Sequence, residues 1–94
     1  MGAPVLVSAV VIWEVAIKRH LGKLDAPEDL LDQLERAEVG LLPITPRHAD
    51  RVAALPMHHR DPFDRLLVAQ AQSEELPLLS ADANLADYGI EVVW

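Results

Sequence analysis

The feature that most constrains the fold is an alternation of short apolar runs with helix-forming stretches along the whole chain. Val5-Leu6-Val7 reads as a short buried strand. Ser8 suits an N-cap, and Ala9 to Leu21 reads as a helix closed by Gly22. Pro27 opens a second predicted helix through about Glu38, with an apolar stripe of Leu30, Leu31 and Leu34 and with Gly40 beyond its end. Leu41 to Ile44 reads as a strand, and Pro43 suggests an edge position. Thr45-Pro46 caps a helix through Leu55, and Asp61-Pro62 starts the longest one, running to about Glu75. Pro77 to Leu79 is a predicted strand, Ser80 to Asn84 a turn, Leu85 to Tyr88 a helical turn, and Ile90 to Trp94 the last strand.

Strands alternating with helices predict an α/β domain built on a mostly parallel sheet. Such a sheet is covered on both faces, giving a three-layer α/β/α arrangement and explaining the unalternated run Glu91-Val92-Val93-Trp94. The length of 94 residues suits one domain over 1–94, and a hydrophobic fraction of 51% is that of a globular chain. No cysteine is present, which excludes a disulfide scaffold and a thiolate metal site and fits a reducing cytoplasm. The apolar segment Val5 to Ile17 is too short to span a bilayer, so no membrane association is expected. The net charge of −7 makes the chain a poor non-specific nucleic-acid binder by itself. Divalent metals can turn an acidic pocket into a phosphate site.

Active groups of a parallel α/β sheet gather past the carboxyl ends of its strands, here near Ser8, Thr45, Ser80 and Asp82. Glu14 stands out among Val10, Val11, Ile12, Trp13, Val15, Ala16 and Ile17, where an ionised carboxylate needs a cation or strong donors. The plainer reading is a solvated stripe or a pair with Lys18 one turn on. Asp61 and Asp64 share a face at a helix start, where Asp61 is either a cap or a ligand and Asp64 leads into the apolar run Leu66-Leu67-Val68-Ala69. Asp82 follows a buried-looking strand and either caps the next helical turn or belongs to a site. Taken together, these acids on separate elements near one sheet edge predict an oxygen-ligand site for Mg²⁺ or Mn²⁺ able to hydrolyse a phosphodiester. His58 and His59 could bind zinc or act in acid–base catalysis, but adjacent loop residues rarely converge on one metal. His20 and His48 read as ordinary helix-surface residues. Ser8 and Ser80 lack a nucleophile-elbow context, and the four scattered glycines form no phosphate loop.

At this point the residues resemble a family. Ser8-Ala9-Val10-Val11-Ile12-Trp13-Glu14-Val15-Ala16-Ile17-Lys18 resembles the first motif of PIN-domain ribonucleases of the VapC toxin type. The stretch His58-His59-Arg60-Asp61-Pro62-Phe63-Asp64-Arg65-Leu66-Leu67-Val68-Ala69-Gln70-Ala71 is similar to its most specific motif, and Ser80-Ala81-Asp82 to its last. The resemblance implies a metal-dependent endoribonuclease, the toxin of a toxin–antitoxin pair. It implies that Glu14, Asp64 and Asp82 gather around Mg²⁺ or Mn²⁺, with Asp61 adjacent and Ser80 orienting water or a carboxylate. It also implies RNA as substrate, a homodimer or higher oligomer, and a VapB-like antitoxin whose Arg-bearing segment enters the acidic groove, to which the net charge is suited.

Family members open on a strand of the type Leu-Leu-Leu-Asp-Thr-His, whose Asp is a principal metal ligand, and this sequence starts after it. The expectation is therefore a PIN-like domain without its first, central strand, with a gap between two strand pairs closed by direct pairing, by another copy or by partial disorder. Three functional readings follow: a ribonuclease with activity impaired by the absent Asp, a degenerate module that only binds an antitoxin or self-associates, and a structural fragment.

Overall fold

The computed structural model describes residues 5–80 and 82–93. Its contacts divide the chain into two compact units, Met1–Pro43 and Ile44–Trp94. The elements are short strands and helices in alternation, with both strand pairs parallel, so the chain is mixed α/β as predicted.

The first unit contains β1 (Leu6–Ser8), α1 (Ala9–His20), α2 (Leu30–Arg36) and β2 (Gly40–Leu42). Helix α1 starts where Ser8 Oγ accepts the Val10 N–H, satisfying an amide that the first helical turn leaves unpaired. It ends in a Schellman arrangement: Gly22 at φ +71° donates to Arg19 O, and Lys23 donates to Lys18 O. On α1 Val10 is buried, Ile12, Glu14, Val15, Ala16 and Ile17 are half-buried, and Val11 and Trp13 are exposed. Helix α2 begins three residues later than the sequence suggests, after a turn over Glu28 and Asp29. Asp29 makes no cap bond to the backbone; its Oδ1 accepts from Gln33 Nε2 instead, so nothing extends the helix back to Pro27. Glu38, at φ +58°, closes α2 through Val39 N–H to Leu34 O. Strands β1 and β2 pair in the register Leu6–Gly40, Val7–Leu41 and Ser8–Leu42.

The second unit contains α3 (Pro46–Val52), α4 (Pro62–Glu74), β3 (Leu78–Leu79), a 3₁₀ turn (Ala83–Tyr88) and β4 (Val92–Val93). Its core is Leu55, Val68, Ala69, Leu85 and Tyr88, against which Val52, Leu78, Ile90 and Val92 pack. Leu78 pairs with Val92 and Leu79 with Val93. Alternation then places Leu78 and Val92 on the core and leaves Leu79 and Val93 exposed. A sheet buried on both faces is therefore not what the described residues show for this pair. Trp94, assigned to the last strand by sequence, lies outside the described residues.

Two further corrections concern α3 and its surroundings. Helix α3 stops at Val52 rather than Leu55, because the next residues tighten into i→i+3 bonds, Ala53 N–H to Asp50 O, Ala54 N–H to Arg51 O and Leu55 N–H to Val52 O, just before Pro56. Arg65 donates to Val52 O at 3.1 Å, Pro56 O at 3.0 Å, His59 O at 3.3 Å and Leu55 O at 3.4 Å. The chain between α3 and α4 is thereby tied to the first turn of α4. His48, read from sequence as a surface residue, is fully buried. Its Nδ1 accepts from Thr45 N and Gln70 Nε2, and its Nε2 meets Glu74 Oε1 at 2.8 Å. The reciprocal bond from His48 N–H to Thr45 Oγ1 completes a capping box, so the imidazole replaces the usual Glu or Gln.

Candidate metal centre

Asp61, Asp64 and His59 surround the start of α4. Asp61 is its N-cap, with Oδ1 accepting the N–H groups of Phe63 at 2.8 Å and Asp64 at 3.2 Å. Pro62 follows at the first helical position, where its missing N–H costs nothing. This cap fixes the turn from which the Asp64 side chain projects.

Asp82 lies just past the carboxyl end of β3, the location that parallel α/β folds reserve for active groups. Ser80 Oγ accepts the Asp82 N–H at 3.1 Å, while the Ser80 N–H donates to Val93 O. Ser80 thus orients the Asp82 backbone. Asp82 in turn caps the 3₁₀ turn, with Oδ1 accepting the Asn84 N–H at 3.0 Å. Its other oxygen, Oδ2, lies 2.8 Å from His59 Nε2. The hydrogen bond from His59, reinforced by the Asn84 N–H, holds the Asp82 carboxyl below the usual aspartate range.

His59, Asp64 and Asp82 each present a ligand atom within 4.8 Å of the others. His59 Nδ1 is 3.7 Å from Asp64 Oδ2, buried, and without a hydrogen-bond partner among the described residues. A buried nitrogen beside a carboxylate, with a second carboxylate on the far side of the ring, is a donor set that fits a divalent cation. The structure therefore brings Asp64 and Asp82 together and places Asp61 outside their cluster, as a cap.

The adjacent histidines diverge. His59 turns into the acids, while His58 packs edge-on against Tyr88 with ring centroids 5.0 Å apart. The zinc pair considered from sequence does not form between them. His59 is the residue that sequence reasoning placed in no acidic site, although its position two residues before the Asp61 cap was a usable signal. The Arg65 bond to its carbonyl, joined by one from Tyr88 Oη, sets the loop that carries it.

Glu14 belongs to the other unit. On α1 it accepts from Lys18 Nζ at 2.7 Å, the pairing one turn on that the sequence allowed. With the lysine side chain 46% exposed, such a pair contributes only about 0.3–0.5 kcal/mol. No helix among the described residues is long and apolar enough to cross a membrane.

The family description that matches the chain is the PIN domain, over residues 1–91, a span that takes in the first unit and most of the second. No curated protein sequence matches it.

Proposed function

Because the chain belongs to the PIN domain family, whose members are generally metal-dependent nucleases, we propose that it is an endoribonuclease of the VapC toxin type. The observation that carries this reading is the cluster of Asp64 and Asp82 around His59 at the end of β3 and the start of α4. Asp64 would hold the divalent ion, taken as Mg²⁺ or Mn²⁺, and Asp82 would lend the site its second carboxylate. Such an ion polarises a phosphodiester and lowers the pKa of a bound water.

The protein's own residues prepare the site. Asp61 fixes the α4 start, so Asp64 reaches the cluster from a rigid turn rather than a loop. Ser80 and the Asn84 N–H hold Asp82 in one orientation, and the His59 bond lowers the pKa of its carboxyl. The amides of the first turn of α4 carry partial positive charge that moderates the repulsion between the acids. The motif resemblance, rather than this geometry, nominates Glu14 as a further acid of the reaction.

The proposal extends to the family's partners: a VapB-like antitoxin whose basic segment meets the acidic groove, and a second copy of the chain, in the cytoplasm. A net charge of −7 favours such a basic segment. The test is cleavage of a structured RNA and of DNA of matched sequence, with Mg²⁺ or Mn²⁺ and with EDTA. The reading requires metal-dependent internal cuts in RNA. Equal cutting of both polymers would remove the ribonuclease assignment, and cleavage insensitive to EDTA would remove the metal.

A further inference from the structure

The His59 imidazole stands between two carboxylates with a different nitrogen toward each. Nε2 is 2.8 Å from Asp82 Oδ2, and Nδ1 is 3.7 Å from Asp64 Oδ2. A carboxylate can only accept, so Nε2 is the donor to Asp82. In the neutral ring Nδ1 then carries a lone pair. That nitrogen is the buried side-chain atom without a hydrogen-bond partner among the described residues. Burying an acceptor in this way is unfavourable unless something electropositive meets it.

The spacing says what fits. A separation of 3.7 Å is too long for a direct hydrogen bond. It does match two ligands of one ion, because atoms each about 2.1 Å from a small divalent cation stand roughly 3 to 4 Å apart. The bond on the opposite nitrogen completes the pattern. Metal-bound histidines commonly donate their other N–H to a carboxylate, which fixes the tautomer and raises the basicity of the ligating nitrogen.

We infer that His59 is a nitrogen ligand of the divalent ion through Nδ1, beside Asp64, with Asp82 orienting the ring. This rests on the metal-dependent reading above and names the class of ion that the site takes. An all-oxygen site suits Mg²⁺, whereas an imidazole nitrogen favours first-row transition ions such as Co²⁺ and Mn²⁺. His59 therefore sets the discrimination between Mg²⁺ and those ions.

Two measurements on the full chain test it. Pulsed EPR of the protein loaded with Mn²⁺ should show nitrogen modulation from a directly bound imidazole, present in His58→Asn and absent in His59→Asn. Calorimetric titration should show Co²⁺ affinity falling by about ten- to a hundredfold in His59→Asn, while Mg²⁺ affinity changes less than about threefold. Mn²⁺ binding that is lost in Asp64→Asn but shows no nitrogen modulation in the parent chain would overturn the inference and leave the metal site standing. So would a nitrogen signal that survives His59→Asn. A parent chain that binds no Mn²⁺ would overturn both. The parent spectrum alone decides the nitrogen question if His59→Asn fails to fold.

Discussion

Replacing Arg65 with Met should destabilise the second unit by an amount that its hydrogen bonds set. The guanidinium is buried, and three of its acceptors lie within 3.3 Å: Pro56 O, Val52 O and His59 O. A hydrogen bond to a charged group contributes about 1.5–3 kcal/mol, so three together give about 4.5–9 kcal/mol. Taking a charge out of water offsets a large part of this, and a discount of half leaves about 2–5 kcal/mol. For a chain of this size each kcal/mol moves Tm by about 4–8 °C, so Arg65→Met should lower Tm by at least about 8 °C. Met matches the Arg stem in length and fills the same space, which isolates the lost donors from a cavity effect. Arg65→Lys should fall in between, because an ammonium keeps the charge without the planar fork that reaches carbonyls from both sides of the loop. Thermal unfolding followed by far-UV circular dichroism in EDTA checks this away from any metal. A Tm for Arg65→Met within about 2 °C of the parent would show that the carbonyl shell is dispensable to the second unit.

Other expectations concern single groups. Metal-free carboxyl NMR should find Asp82 titrating below ordinary aspartates, and His59→Asn should raise it, since the His59 bond is the main cause of the shift. The sign follows from a depressed folded-state pKa: the Asp82 contribution to stability is present above the usual aspartate range and is lost as pH falls through the lowered folded value. His48→Ala should cost about 2–4 kcal/mol in urea unfolding, because it leaves a cavity and strips the Thr45 N–H, Gln70 and Glu74 of a common partner. In the cleavage assay, Glu14→Gln should lower the rate at least about tenfold if the acid is used in the reaction, with Tm nearly unchanged because its pair with Lys18 is worth little. A Glu14→Gln rate equal to that of the parent would confine Glu14 to the pairing seen on α1.

What the sequence made legible was local. Ser8, Gly22, Asp61 and Pro62 bound their helices within the residues that carry the signal, so α1 and α4 end nearly where reading them places the ends. The alternation of strands and helices likewise led to the parallel pairs. What escaped was set by distant partners. The path of the loop after α3 is held by Arg65, ten or more residues on, and the burial of His48 involves Gln70 and Glu74, more than twenty residues away. No local periodicity encodes either contact. At the candidate site, Asp64 and Asp82 were legible as carboxylates on different elements near one sheet edge, whereas Asp61 carried two readings, of which its bonds to Phe63 and Asp64 show the cap. His59 was overlooked because a histidine pair draws attention to itself as a pair, and the two rings in fact face different neighbours.

The central claim is that the Asp64–Asp82 cluster is a metal site that hydrolyses RNA. The most direct measurement is the Mn²⁺-dependent cleavage rate of a structured RNA by the parent chain, Asp64→Asn and Asp82→Asn, with each variant shown by circular dichroism to be folded. The account predicts metal-dependent cleavage by the parent and a loss of at least about a hundredfold in Asp64→Asn, equivalent to about 2.7 kcal/mol of transition-state stabilisation. Cleavage by folded Asp64→Asn at the parental rate, or a folded parent chain that does not cut RNA at all, would contradict it.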